Sequence, residues 1–157
     1  MASTGCISKF PEHVQERDGR RVITGEIDID ADVGWWVGYE AAYIAPLSLD
    51  EICMGRGFSN MVTYNGPPDI NSPQNGILPL SNIHQLWDNH STAVNPNAGY
   101  KVMSFQPHAW QYHGYLLDPV CRQPDDARRV IDGLLRWHFE QAVLYNMRGV
   151  GEAAFEF

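Results

Sequence analysis

The sequence predicts an α+β domain, and three observations carry that expectation. Short β-branched or aromatic runs stand between turn residues in the first half, a compact helical segment follows Ser81, and a long helical period occupies the last third. Length and composition fit one such domain: with 157 residues, 44% hydrophobic and 11% aromatic, the chain can bury about two thirds of the surface it exposes when unfolded. Eleven basic against nineteen acidic residues leave a net charge of -8, which opposes a nucleic-acid partner unless the basic side chains cluster.

Residues 1–13 read as an amino-terminal tail and 14–157 as a single domain. Asp18-Gly19 marks a turn before the short β-branched run Val22 to Gly25, and Glu40 to Ile44 reads as a strand. Trp35 and Trp36 precede that strand, and two adjacent side chains cannot share one face of an extended segment. A glycine- and proline-bearing excursion then runs from Pro46 to Asn75, long enough to expect a part that covers a site. Ile77 to Leu80 reads as a short strand, and Ser81 or Asn82 caps a helix through Asn89. His84 and Asp88 are four apart on that helix and share a face. Tyr100 to Phe105 and Tyr115 to Leu117 alternate as strands. From Asp125 to Arg148, Val130, Leu134, Leu135, Trp137, His138, Ala142, Val143 and Met147 recur at helical spacing, with Pro124 suited to the first turn and Gly149 to the cap.

The three cysteines, Cys6, Cys53 and Cys121, are isolated, so neither a disulfide framework nor a zinc knuckle is expected. No basic segment followed by an apolar run opens the chain, and no stretch nears the roughly 18 apolar residues of a membrane span. The expectation is a reduced, cytoplasmic setting without membrane contact.

Three motifs in order carry a resemblance: Glu40-Ala41-Ala42-Tyr43-Ile44, then Asn71-Ser72-Pro73-Gln74-Asn75-Gly76-Ile77-Leu78, then Ser81-Asn82-Ile83-His84-Gln85-Leu86-Trp87-Asp88-Asn89. That order resembles the HNH endonuclease-like family, especially its fungal group, whose members carry EAAHI, N-S-x-Q-N-G-L-L-L and S-D-I-H-x-L-F-D-N. The opening Val14 to Gly25 and the segment Leu134 to Gly149 are also similar, so the resemblance covers roughly residues 14–155. It implies a ββα-metal finger with extra β-strands and a long carboxyl-terminal helix. It also implies that the histidine of EAAHI is the water-activating base, that Asn75 ties the loop to it, and that His84 and Asp88 are metal ligands.

Tyr43 stands where the family places that base. A phenol, with an ordinary pKa of about 10, is a poor base at neutral pH, whereas its protonated form donates hydrogen bonds well. The catalytic candidates are therefore Tyr43, His84, Asp88 and Asn75. Trp35, Trp36, Tyr39, Tyr64, Trp87 and His90 are candidates to contact a substrate, because apolar walls with few convergent polar groups make small-molecule sites. The expectation is a repurposed HNH-like enzyme that binds a small hydrophobic metabolite and promotes cyclisation or isomerisation, with no cofactor. One alternative is a metal-dependent endonuclease with a substitute base, holding Mg²⁺, Mn²⁺ or Zn²⁺ at His84 and Asp88. Another is a non-catalytic binding module, and a homodimer is reasonable for so small a domain. His138, beside Trp137, reads as a packing histidine.

Overall fold

The computed structural model describes residues 2–20, 22–23, 40–45, 72–79 and 81–151 of the chain. Within them the architecture is α+β: helix α1 (Ala2–Asp18), strands β1 (Ala42–Tyr43) and β2 (Gly76–Ile77), helix α2 (Ser81–Asp88), strands β3 (Thr92–Asn95) and β4 (Lys101–Ser104), and helix α3 (Asp132–Gly151). Two separate antiparallel pairs form, β1 with β2 and β3 with β4.

Helix α1 corrects the expectation of a tail. Its amino-terminal sequence is rich in small polar residues and contains Pro11, so local propensity argues against a helix. Burial overrides propensity here. Phe10, Val14 and Arg17 recur at i, i+4 and i+7, and they are 1%, 0% and 4% exposed. Arg17 reaches three separate parts of the fold: it donates to the carbonyls of Pro73, Gly76 (2.6 Å) and Arg128 (2.9 Å) while pairing with Asp18 at 2.6 Å. The expected turn at Asp18-Gly19 is present, with Gly19 at φ 62.

The hairpin β1–β2 registers Ala42 with Ile77 and Tyr43 with Gly76. Gly76 is required by close approach, since a Cβ there would lie 2.5 Å from the Phe10 ring and 2.9 Å from Val14. Of the strand expected over Glu40 to Ile44 only Ala42 and Tyr43 pair, and of that over Ile77 to Leu80 only Ile77 among the described residues, because neighbouring backbone groups bond elsewhere: Ile44 N–H to Asn75 O at 3.0 Å and Val22 N–H to Leu78 O at 3.2 Å. Val22 and Ile23 lie in a turn rather than a strand.

Helix α2 buries Ile83 and Trp87, at 0% and 1% exposure, on its core face. It ends in a left-handed cap: Ser91 N–H donates to Leu86 O (2.9 Å), His90 N–H to Trp87 O (3.3 Å), and His90 takes φ 63. The chain then enters β3, which the sequence reading did not foresee, and returns as β4, in register from Thr92 with Ser104 to Asn95 with Lys101. Tyr115 to Leu117, expected as a strand, contributes only an isolated bridge from Leu116 to Lys101.

Helix α3 begins at Asp132 rather than Asp125. The stretch before it is a series of turns in which Asp126 accepts from the Arg128 N–H at 2.8 Å, a short-range bond that competes with helix. Val130, Leu134, Leu135, Trp137, His138 and Ala142 are buried as expected, but Met147 is 66% exposed. Packing against β3, α3 closes a core that contains Ile44, Ile77, Ile83, Trp87, Val94, Val102 and Leu117. Among the described residues, no helix is long and apolar enough to cross a membrane.

Candidate functional site

The strand β1, the loop before β2 and the helix α2 together form the ββα unit, and the candidate residues distribute over it unequally. Asn75 is 1% exposed and its amide does structural work: it accepts from Ala45 N–H at 2.8 Å and donates to Ala45 O at 2.9 Å. Both main-chain groups of Ala45 are thereby satisfied by one side chain, which fixes the loop leaving β1 against the loop entering β2.

His84 and Asp88 come together as their spacing implies. His84 Nε2 lies 3.1 Å from Asp88 Oδ2, and on the other edge of the ring Nδ1 lies 3.3 Å from Glu40 Oε2. The imidazole is thus held between two carboxylates, one from the helix and one from the residue that opens the strand segment. The neutral ring donates to one of them and the imidazolium donates to both. Partial desolvation holds Asp88 above its ordinary carboxylate value, with Glu40 adding to the rise and His84 and His90 opposing it. Asp88 nevertheless keeps 61% of its side chain in solvent and His84 keeps 22%, so the group faces outward.

Glu40 is the residue that sequence reading passed over. Its signal was its place in Glu40-Ala41-Ala42-Tyr43: in an extended segment, positions 40 and 42 share a face and 43 points the other way. Accordingly Glu40 meets α2, while the Tyr43 ring stacks on Phe10 of α1 with centroids 4.1 Å apart and planes at 3°. Phe10, Val14 and Leu78 form a small apolar cluster against which Ala41 and Tyr43 pack.

Trp87, considered as a substrate wall, is instead 1% exposed; its Nε1–H donates to Tyr43 O at 3.1 Å and its ring stacks on His138 at 3.9 Å. These contacts leave no face for a substrate. His138, the expected packing histidine, donates from Nε2 to Trp87 O at 3.2 Å, and burial drives its pKa down to about 3, helped by the charge of His90 and opposed by that hydrogen bond. His90 sits beyond the end of α2, its ring 5.5 Å from that of His138 and 5.4 Å from that of Tyr145. Trp35, Trp36, Tyr39 and Tyr64 lie outside the described residues. A cavity of about 450 Å³ opens between Gln74 and the turns at residues 124–133, and neither Tyr43, His84 nor Asp88 lines it.

The donor set meets the needs of a divalent cation only in part. A nitrogen and an oxygen 3.1 Å apart, as in His84 and Asp88, can both reach one ion at metal bonds of about 2.0–2.2 Å, and Glu40 at the other nitrogen is the kind of carboxylate that orients a ligating imidazole. The residues fit as two ligands and an orienting partner. They do not converge as three ligands, because Glu40 and Asp88 lie on opposite edges of the ring; among the described residues no group of three or more His, Cys, Asp or Glu side chains is placed to hold a metal ion.

An antiparallel strand pair followed by a helix that presents a histidine and an aspartate defines a ββα finger of the nuclease type. The family model described as HNH endonuclease matches residues 21–95, the segment that contains this finger, so over those residues the chain is similar to that family. No curated protein and no solved structure matches the chain.

Proposed function

We propose that this chain is a repurposed HNH-like enzyme of specialised-metabolite biosynthesis, working in the cytoplasm. In this reading it no longer cleaves phosphodiesters and promotes a cyclisation or isomerisation of a small hydrophobic molecule. The packing of Tyr43 carries the reading. Where the family has its base, this chain has a phenol stacked flat on Phe10. A phenol is a weak acceptor of a proton from water, so in-line attack on phosphate loses its activating group.

What remains is proton-transfer machinery. His84, held between Glu40 and Asp88, gives a proton to one carbon or oxygen of the substrate and the carboxylate–imidazole pair takes one from a neighbouring atom. Gain and loss balance, so no oxidant, reductant or co-substrate is required. The net charge of -8 supports an uncharged substrate over a polyanion.

One observation favours a second reading, a metal-dependent endonuclease with a substitute base: His84 and Asp88 would hold Mg²⁺, Mn²⁺ or Zn²⁺ and Glu40 would orient the imidazole. When bound, the cation would supply charge stabilisation at the phosphate. A plasmid-nicking assay of the wild type beside Asp88→Ala, with each cation and with EDTA, separates the two. The proposal expects an inert wild type with every cation. Metal-dependent cutting by the wild type that disappears in Asp88→Ala would overturn it.

A further inference from the structure

Beneath the end of α2 lies a second imidazole pair that the proposed chemistry does not use. His138 is 3% exposed, and because a carbonyl only accepts, its Nε2 bond to Trp87 O fixes the proton on Nε2 and leaves Nδ1 with a free lone pair. Among the described residues that buried Nδ1 has no hydrogen-bond partner, and neither has Nδ1 of His90. Two such atoms on adjacent rings are unusual, since buried polar atoms are nearly always satisfied.

His90 also occupies its place against backbone preference. It is the left-handed residue of the α2 cap, at φ 63, a position that suits glycine. Asn146 of α3 holds it there by donating to His90 O at 2.8 Å and to Ala142 O at 2.7 Å. A strained backbone secured from a second helix is the pattern of a position kept for what its side chain does.

We infer that His90 and His138 form a second, labile site for a late first-row transition cation such as Cu²⁺, Ni²⁺ or Zn²⁺, distinct from His84 and Asp88. The observed ring spacing of 5.5 Å suits one ion shared by two imidazoles, for which nitrogen–metal bonds of about 2.0–2.1 Å set the centroids roughly 5–6 Å apart. Imidazole is the donor these cations prefer. The local charge is also favourable: the carbonyl end of α2 is the negative pole of the helix, and the Asp88 charge acts on His90. The protein supplies two nitrogens, of which that of half-buried His90 belongs to the residue nearer solvent.

The test uses the full chain carrying His84→Gln, which removes the family's own ligand. Cu²⁺ binding is followed by calorimetry and by the nitrogen hyperfine pattern in electron paramagnetic resonance. The expected result is one bound ion with two nitrogen donors in His84→Gln. Adding His90→Gln weakens it by about tenfold or more. Circular dichroism of the His90→Gln chain confirms that it is folded, and because His90 is at the rim this variant does not open the core. Absence of binding in His84→Gln, or binding unchanged by His90→Gln, overturns the site and leaves the proposed function untouched.

Discussion

Gly76 is small because Phe10 needs the space. In Gly76→Ala the new methyl would meet the Phe10 ring at 2.5 Å, and the ring has no free direction, being 1% exposed and stacked on Tyr43. Overpacking of this kind costs about 1–3 kcal/mol. Urea denaturation should show that loss in Gly76→Ala and a much smaller increment when the same change is made in a Phe10→Ala background. Equal increments in both backgrounds would mean that the Phe10 seat is not what makes glycine necessary. At this scale the sequence was only partly legible. His84 and Asp88 could be paired from their spacing, but Glu40 could not be linked to them until the strand set it across from α2.

The elements differ in how far sequence foretold them. Helix α2 was readable from its apolar face and the four-residue spacing of His84 and Asp88, although Ser81 and Asn82, expected as caps, lie inside it, and most of α3 because its period is long. Helix α1 was not, since residues 2–9 carry no helical signal and Pro11 argues against one; the helix exists because Arg17 and Phe10 find partners distant in sequence. Arg17→Met tests that dependence. It removes the donors to the carbonyls of Pro73, Gly76 and Arg128 and leaves Asp18 buried without its cation. A loss of about 3–5 kcal/mol is expected, with hydrogen exchange showing the greatest loss of protection in α1. Arg17→Lys should recover little, because one ammonium cannot reproduce the forked donor set. A change below about 1 kcal/mol, as for an exposed pair, would show that α1 does not rest on this residue.

The whole molecule should lose stability in mild acid, and His138 gives the sign. Its folded pKa, about 3, lies below the ordinary 6.5 because burial excludes the charged ring. Above about pH 6.5 neither the folded nor the unfolded state binds the proton. Between that value and about 3 the unfolded chain takes a proton that the folded chain refuses, so stability falls as pH falls, by up to about 1.4 kcal/mol per unit. His90, also lowered by burial, acts in the same sense. Denaturation midpoints between pH 7 and 5 should therefore decline, and the decline should be shallower in His138→Gln. An unchanged slope in that variant would assign the acid sensitivity elsewhere.

Asn75 has a different kind of consequence. Its amide spans both main-chain groups of Ala45, and that service is owed to the backbone whether or not a phosphate is ever cut. The middle letter of the HNH signature thus reports an architectural debt. Its presence therefore reports on how the loops are held and not on whether the site cuts.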